Sequence, residues 1–482
     1  MKKILFTKSV IFVLSITAFI LSVLLISSVS LRIDLSKGKA YTLSPATNRI
    51  VNKLDDLVTI TLLSSSDLPS RLIPLRTDVT DMLQEFQKSS SGKVAVQVKD
   101  PKKDSTALAE VQELGIPEIQ LSQVQRDTFA VTSVYFAIVI RDGDKKEVIP
   151  QAIDLSNLEY NLISAIYKLT QKTTPIIGVV EEPIIGSSSQ ISLMKQVFEQ
   201  QYDVRSVSFS EEKNDFSQMK IMILIDDGNT QFSQDKLDEL SQFIKNGGTV
   251  ILCADGVWIN NSLETSEPQH NLFTFLDRYG IRLEKNLVLS TTSLLVQFGN
   301  ETIRFPTRYY LWPVTNTFSK DKPYFSNVSQ LTFPWVSSLT VNPQKNAVSI
   351  VKTGNNSWTQ EKNFILNPQE IILPDKNTVK PYTVVGEAQD GKGSLIVISN
   401  SRFIKDEFIS QMPLNGEFIL NVVNQKASNG ALSGIRSRSN TSYPLRELTE
   451  TQRNMFKYGT ILTFPILFSI VGIFIFIKRR KS

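Results

Sequence analysis

Two apolar runs bracket this chain, Ser9 to Leu31 and Tyr458 to Ile477, and neither contains a charged residue. At a rise of about 1.5 Å per residue each is long enough to cross a hydrocarbon core of about 30 Å as a helix. Leu, Ile, Phe and Val dominate both runs, each favouring insertion by roughly 0.3 to 0.6 kcal/mol, so the small costs of Ser15, Thr17 and Pro465 are outweighed. The expectation is a two-pass plasma-membrane protein with transmembrane helices over 9–31 and 458–477 and the lipid bilayer as a partner. Lys478, Arg479, Arg480 and Lys481 follow the second run, which by the positive-inside bias puts that end in the cytoplasm. Two spans then place the other end there too, in agreement with Lys2, Lys3 and Lys8, and leave a large extracytoplasmic head. A cleaved signal peptide ending near Ser28-Val29-Ser30 is the alternative for the first run, against which its length argues.

About 425 residues lie between the runs, enough for two or three domains. The two tails hold seven basic residues and no acid, so the remainder carries 45 basic against 47 acidic residues and is close to neutral. That balance gives no reason to expect a nucleic-acid partner. Cys253 is the single cysteine, which excludes an internal disulfide and suits a bacterial extracytoplasmic protein with a core large enough to need none.

The head divides by its patterning. Ser44 with Pro45 reads as the start of a short helix. Val58 to Leu63 and Lys93 to Val98 alternate as strands around a helical stretch from Leu72 to Lys88. A helix from Ala107 to Leu114 follows, then a hairpin of Val134 to Ile140 and Lys146 to Ile149 about Asp142-Gly143-Asp144, and a helix from Ser156 to Thr170. This order, β-α-β and then β-β-α, predicts a thioredoxin-like α/β domain over 32–172, without the Cys-x-x-Cys that redox chemistry needs. A second α/β domain spans 173–426. Ile176 to Val180, Val204 to Phe209, Lys220 to Ile225 and Thr249 to Ala254 read as strands alternating with helices at Ser192 to Gln201 and Ser233 to Lys245, the pattern of a doubly wound parallel sheet. Residues 281–380 are proline-rich and aromatic with short β-like runs, a β-rich insertion. Strands at Tyr382 to Gly386 and Ser394 to Ser399 about Asp390-Gly391-Lys392-Gly393, and a helix from Gly416 to Gln425, resume the sheet. Residues 427–457 read as a flexible tether.

Residues that could carry chemistry are few. No glycine-rich loop joins a strand to a helix N-terminus, so no nucleotide-phosphate site is indicated, and nothing calls for a cofactor. Cys253 is the fifth residue of an apolar strand and reads as a buried small hydrophobe; His270, in a polar loop with Asn260-Asn261-Ser262 and Pro268, reads as a solvated side chain. One His and one Cys are too few for a zinc site. Glu181 and Glu182 follow one predicted strand and Asp226 and Asp227 another, which would gather four carboxylates at the C-terminal edge of a parallel sheet, where α/β proteins bind ligands. There they could hold a divalent cation or act as acid and base; the alternative is helix capping or simple solvation.

Several runs together resemble a known family. They are Arg32-Ile33-Asp34-Leu35 with Tyr41-Thr42-Leu43-Ser44, Leu57-Val58-Thr59-Ile60, Gly143 to Pro150, Leu158-Glu159-Tyr160, Pro175-Ile176-Ile177-Gly178, Gly247-Gly248, Gly393 to Phe403, and Leu448-Thr449-Glu450-Thr451-Gln452-Arg453. Their order is similar to that of the gliding-motility-associated ABC-type transport auxiliary component, the GldG-like family, and the likeness covers nearly the whole chain. The resemblance implies a non-catalytic membrane subunit working with a separate permease and a cytoplasmic ATPase, and an amidotransferase-like fold for the central domain. The chain departs from the family at Glu181-Glu182-Pro183, where relatives carry a Gly-His-Gly-like turn, and at Asn400-Ser401-Arg402, where they carry acidic residues. The competing reading, an extracytoplasmic hydrolase using the amidotransferase-like domain, would need a nucleophile on a sharp strand-to-helix turn. Cys253-Ala254-Asp255-Gly256 does not provide one.

Overall fold

The computed structural model describes residues 42–432 except 126–127, 172, 181–189, 209–215, 227, 229–230, 261, 300–303 and 376–377, together with Thr17 and single positions between 454 and 480. The chain divides into a unit from Met1 to Arg438 and a second from Ser439 to Ser482. In the second unit, the described positions are all helical and exposed. Among the described residues no helix is long and apolar enough to cross a membrane; of the first apolar run only Thr17 is described.

The first unit opens with helix α1 (Pro45–Val51), capped as its sequence predicts: the Ser44 hydroxyl accepts from the Thr47 N–H at 3.1 Å. Strand β1 (Val58–Ser64), helix α2 (Ile73–Ser89), β2 (Val94–Lys99) and α3 (Ser105–Glu113) follow. Next come a separate hairpin, β3 (Ile119–Gln125) with β4 (Thr128–Val134), then β5 (Phe136–Asp142), β6 (Lys145–Ile149) and α4 (Leu155–Thr170). The sheet order is β2-β1-β5-β6, with β1 parallel to β2 and antiparallel to β5. Alternation along each strand then decides which core a residue enters. Ile60, Leu62, Phe136, Ile138 and Ile140 meet Leu83 and Phe86 of α2 and Leu158, Leu162 and Ile166 of α4. Leu63, Ala137 and Val139 meet Ala107 and Val111 of α3 on the other face. The β3–β4 hairpin was not anticipated, because its Gln- and Ser-rich alternation carries little apolar signal.

In the second domain β8 (Asp203–Val207), β7 (Ile176–Val180), β9 (Met219–Ile225), β10 (Thr249–Cys253) and β12 (Gly393–Ile398) run parallel in that spatial order, and β11 (Thr383–Asp390) pairs antiparallel with β12. Helices α5 (Ser192–Glu199) and α8 (Pro413–Ser428) cover one face; α6 (Gln234–Lys245) and α7 (Leu272–Arg278) cover the other. The insertion is only partly a lobe of its own. Its strands Leu339–Val341 and Ala347–Lys352 both pair with β11, and Ile281–Leu283 and Thr317–Phe318 pair with these in turn, extending the sheet to ten strands. The rest gathers around Tyr309, Trp312, Trp358 and Phe408.

The two domains share contacts. Tyr160 of α4 packs against both cores, and Gln201 donates to the hydroxyls of Tyr160 and Ser164, the latter at 3.1 Å. After α8 the chain returns to the first domain, where Leu432 is buried in the core that also contains Leu43. Ala427, Ala431 and Leu432, at the start of the stretch read as a tether, each pack, which its polar composition conceals; residues 433–453 of that stretch lie outside the described residues.

Helix α1 depends on one carboxylate. Glu159, 1% exposed, accepts from the Ser44 N–H at 2.6 Å and the Thr47 hydroxyl at 2.8 Å, placing negative charge at the helix N-terminus. Glu159→Ala should lower stability by about 3 kcal/mol, since two buried donors lose a charged acceptor, and Glu159→Gln by less. Denaturant unfolding of the three proteins checks the order.

Candidate functional site

Parallel strands end their backbone hydrogen bonding together, so polar residues just beyond β9, β10 and β12 meet at one edge. Asp226 follows β9, Ala254-Asp255-Gly256 follows β10, and Ser399-Asn400-Ser401-Arg402 follows β12. All of these but Arg402 are buried. The Asp255 carboxylate is the centre. One oxygen accepts from the Ser401 N–H at 2.8 Å; the other accepts from the Ser401 hydroxyl and lies 3.4 Å from an Arg402 guanidinium nitrogen.

Arg402 is held from several directions. It donates to the Ile259 carbonyl, and its guanidinium carbon stands 5.3 Å from the ring centre of Trp258 and 5.4 Å from that of Trp335, a cation between two aromatic faces. Trp335 reaches that position with φ at 53°, a left-handed backbone uncommon for a bulky residue, and its indole N–H donates to the Tyr309 hydroxyl at 3.0 Å. Gly256 is required beside it: a Cβ there would lie 2.0 Å from the Glu284 carbonyl oxygen. Asn400 donates to the Pro334 carbonyl, whereas its own side-chain oxygen is buried with no partner among the described residues.

His270 belongs to this edge, contrary to the solvated position expected of it. It is 4% exposed, because the polar loop that carries it folds over the sheet end, pinned by the Gln269 N–H on the Gly228 carbonyl at 2.6 Å. Its Nδ1 faces the Leu272 N–H at 3.4 Å and its Nε2 lies 2.9 Å from the Asp255 carbonyl oxygen, which assigns the proton to Nε2. An Asp226 oxygen is 3.4 Å from the same Nε2. That charge would favour an imidazolium, but burial dominates and holds the imidazole below its ordinary range, against the pull of the Asp255 carbonyl and carboxylate.

Of the four carboxylates singled out from the sequence, Asp226 is at the sheet edge as expected, fully buried rather than solvated. Glu181, Glu182 and Asp227 lie outside the described residues. Sequence reasoning missed Asp255, which stands two residues past the end of β10 where Asp226 stands one past the end of β9, and missed its partners, which come from 146 and 147 residues further along the chain. Cys253 is fully buried and its thiol is pushed well above its ordinary range by desolvation, so it is a poor nucleophile. No group of three or more His, Cys, Asp or Glu residues able to hold a metal ion occurs among the described residues. Chemically, the Asp255, Ser401 and Arg402 groups of this edge satisfy one another, while the Asn400 side-chain oxygen has no partner among the described residues.

A sequence model described as an ABC-type uncharacterized transport system matches residues 174–429, more than half the chain. The chain belongs to this family. Ahead of the ABC-type transport region, a domain of unknown function matches residues 37–141. An uncharacterized protein of Borreliella burgdorferi is 24% identical over 501 residues, covering 97% of each chain. Among solved structures, the N-terminal domain of mmIFT52 aligns over 53% of this chain and 98% of its own, with 13% identity and a TM-score of 0.36. A ThuA-like protein from Parabacteroides merdae aligns over 54% and 91%, with 12% identity and a TM-score of 0.31. A glutamine amidotransferase from Thermotoga maritima aligns over 53% and 99%, with 6% identity and a TM-score of 0.29. These likenesses are loose.

Two outcomes follow for this family member. Arg402→Ala leaves the Asp255 carboxylate buried beside an empty slot between two indoles and should cost about 3 kcal/mol, with Arg402→Lys intermediate, as read by thermal unfolding. The unfolded chain protonates His270 near pH 6.5, the folded chain only at lower pH, so the unfolded state binds more protons between the two values. The stability that neutral His270 contributes is therefore complete above about pH 7.5 and declines as pH falls through about 6.5 toward the folded value. His270→Gln should show a shallower fall between about pH 7.5 and 5.5 in the same measurement.

Proposed function

We propose that this protein is a non-catalytic, membrane-anchored auxiliary subunit of an ABC-type transport system, working with a separate permease and a cytoplasmic ATPase through an extracytoplasmic head. Membership of the family supports the transport role. The observation that carries the non-catalytic part is the Asp255 cluster: at the sheet edge where a doubly wound enzyme would receive substrate, the Asp255 carboxylate is taken up by Ser401 and Arg402. A hydrolase would need an activated nucleophile there, and desolvation of Cys253 argues against one. The anchored arrangement is supported by the two uncharged apolar runs and by Leu43 and Leu432 in one core, so the segments leading to both runs start from the same domain.

Purification of the tagged full-length protein from its host in mild detergent, followed by mass spectrometry, tests this reading. A polytopic permease and an ATPase with phosphate-binding motifs should accompany it in a stable ratio. Recovery of the protein alone or as a homo-oligomer would overturn the proposal.

A further inference from the structure

The segment Ser262 to Asn271 crosses the C-terminal edge of the larger domain's sheet, and of its side chains Pro268 and His270 alone are buried. Thr265 and Ser266 pair with Ile259 and Trp258. Toward the sheet, the Gln269 N–H donates to the Gly228 carbonyl and the Gln231 side chain donates to the Gln269 carbonyl. The Asn271 side chain accepts from the Phe232 N–H at 3.0 Å and donates to the Phe232 carbonyl at 2.6 Å. Glu267 makes an exposed ion pair with Lys285 at 3.1 Å. Leu263 holds a left-handed backbone with φ at 60° and an exposed side chain. A strap with so few buried apolar contacts opens at lower cost than a core strand. His270 is its one buried titratable group.

The groups around the ring decide where a second proton can go. Asp226 after β9 and the Asp255 carbonyl after β10 both face Nε2, and the Asp255 carboxylate is taken up by Ser401 and Arg402. From α7 comes the Phe273 ring, and beyond it Lys285, paired with Glu267, adds a positive charge that disfavours an imidazolium. The neutral ring uses Nδ1 as the acceptor for the Leu272 N–H at 3.4 Å. A proton gained at Nδ1 turns that acceptor into a donor and sets two N–H groups against each other at the start of α7. Burial adds to the cost, outweighs the pull of Asp255 and holds the imidazole below its ordinary range. In the released strap the same ring meets water and titrates near about 6.5, so acid favours release.

We propose that protonation of His270 releases Ser262 to Asn271 while the sheet beneath stays folded, so that acid uncovers Asp226 at the edge where doubly wound sheets take their ligands. Release grows about tenfold per pH unit below about 6.5, until the folded ring itself titrates, and reverses at neutral pH. The inference is independent of the transport reading, because it rests on this edge alone.

The test is hydrogen exchange read by mass spectrometry on the full-length protein in phosphatidylcholine nanodiscs, at about pH 7.5, 6.5 and 5.5, with each amide rate divided by its intrinsic rate at that pH. Amides of 262–271 should open about fivefold or more as often at the lowest pH as at the highest, with those of β9 and β10 still protected. His270→Gln, which does not titrate, should show no such rise. His270 is the chain's single histidine, so NMR of tag-free protein isotopically labelled at histidine follows its ring without any variant. That ring should titrate below about 6.5. A flat response of the strap, an equal rise in His270→Gln, loss of β10 protection in step with the strap, or a ring titrating at or above about 6.5 would each overturn the proposal.

Discussion

Burial of the four parallel strands β7, β9, β10 and β12 on both faces is the constraint from which the rest of the larger domain follows. Ile221, Ile223, Ile251 and Ile396 point into one core and Met222, Leu224, Val250 and Leu395 into the other, so these strands have no polar face to show to water. Helices must cover both sides, and polar residues are displaced to the strand ends. The Asp226, Asp255 and Ser401 edge is thus where such a sheet first permits polarity. The insertion uses the one side left open: β11 turns antiparallel and offers its hydrogen bonds to Leu339–Val341 and Ala347–Lys352. Glu387 on β11, nearly buried, is the ionic tie there. Burial works against its charge, but the ammonium groups of Lys426 on α8 and Lys322 of the insertion, at 2.7 and 2.6 Å, outweigh it and hold the carboxyl below its ordinary range.

Local chemistry was legible where it needed no distant partner. The Ser44 cap, the Asp142-Gly143 turn, the continuous apolar strands around Ile176 and Ile221, and the burial of Cys253 all follow from spacing and composition over a few residues. The candidate site was legible only as an address. Asp226 stands at the predicted edge, but the group at the centre is Asp255, whose environment is written mostly around position 401, beyond the reach of any local pattern. His270 illustrates the same gap in reverse. The residues before it in sequence are polar, but in space it lies against the end of a buried sheet and the Phe273 ring at 4.7 Å, and burial follows from that packing.

The Arg402 arrangement ties parts of the chain that the sequence separates. Trp258 comes from the loop after β10, Trp335 from the insertion and Arg402 from the end of β12, so one guanidinium joins three segments through a carboxylate, a carbonyl and two rings. Arginine suits this position because its planar group stacks and donates at once, which an ammonium does not. The insertion is thereby fixed to the sheet through this clamp as well as through β11.

Leu43 and Leu432 lie in one core, that of the first domain, at the two ends of the described head. Tension applied between the chain's two ends is therefore resisted by that core directly. The large sheet domain, threaded between them in sequence, lies outside the load path. A pull on the two ends of this head would strain the contacts of Leu43 and Leu432 with the first domain before it reached the Asp255 edge.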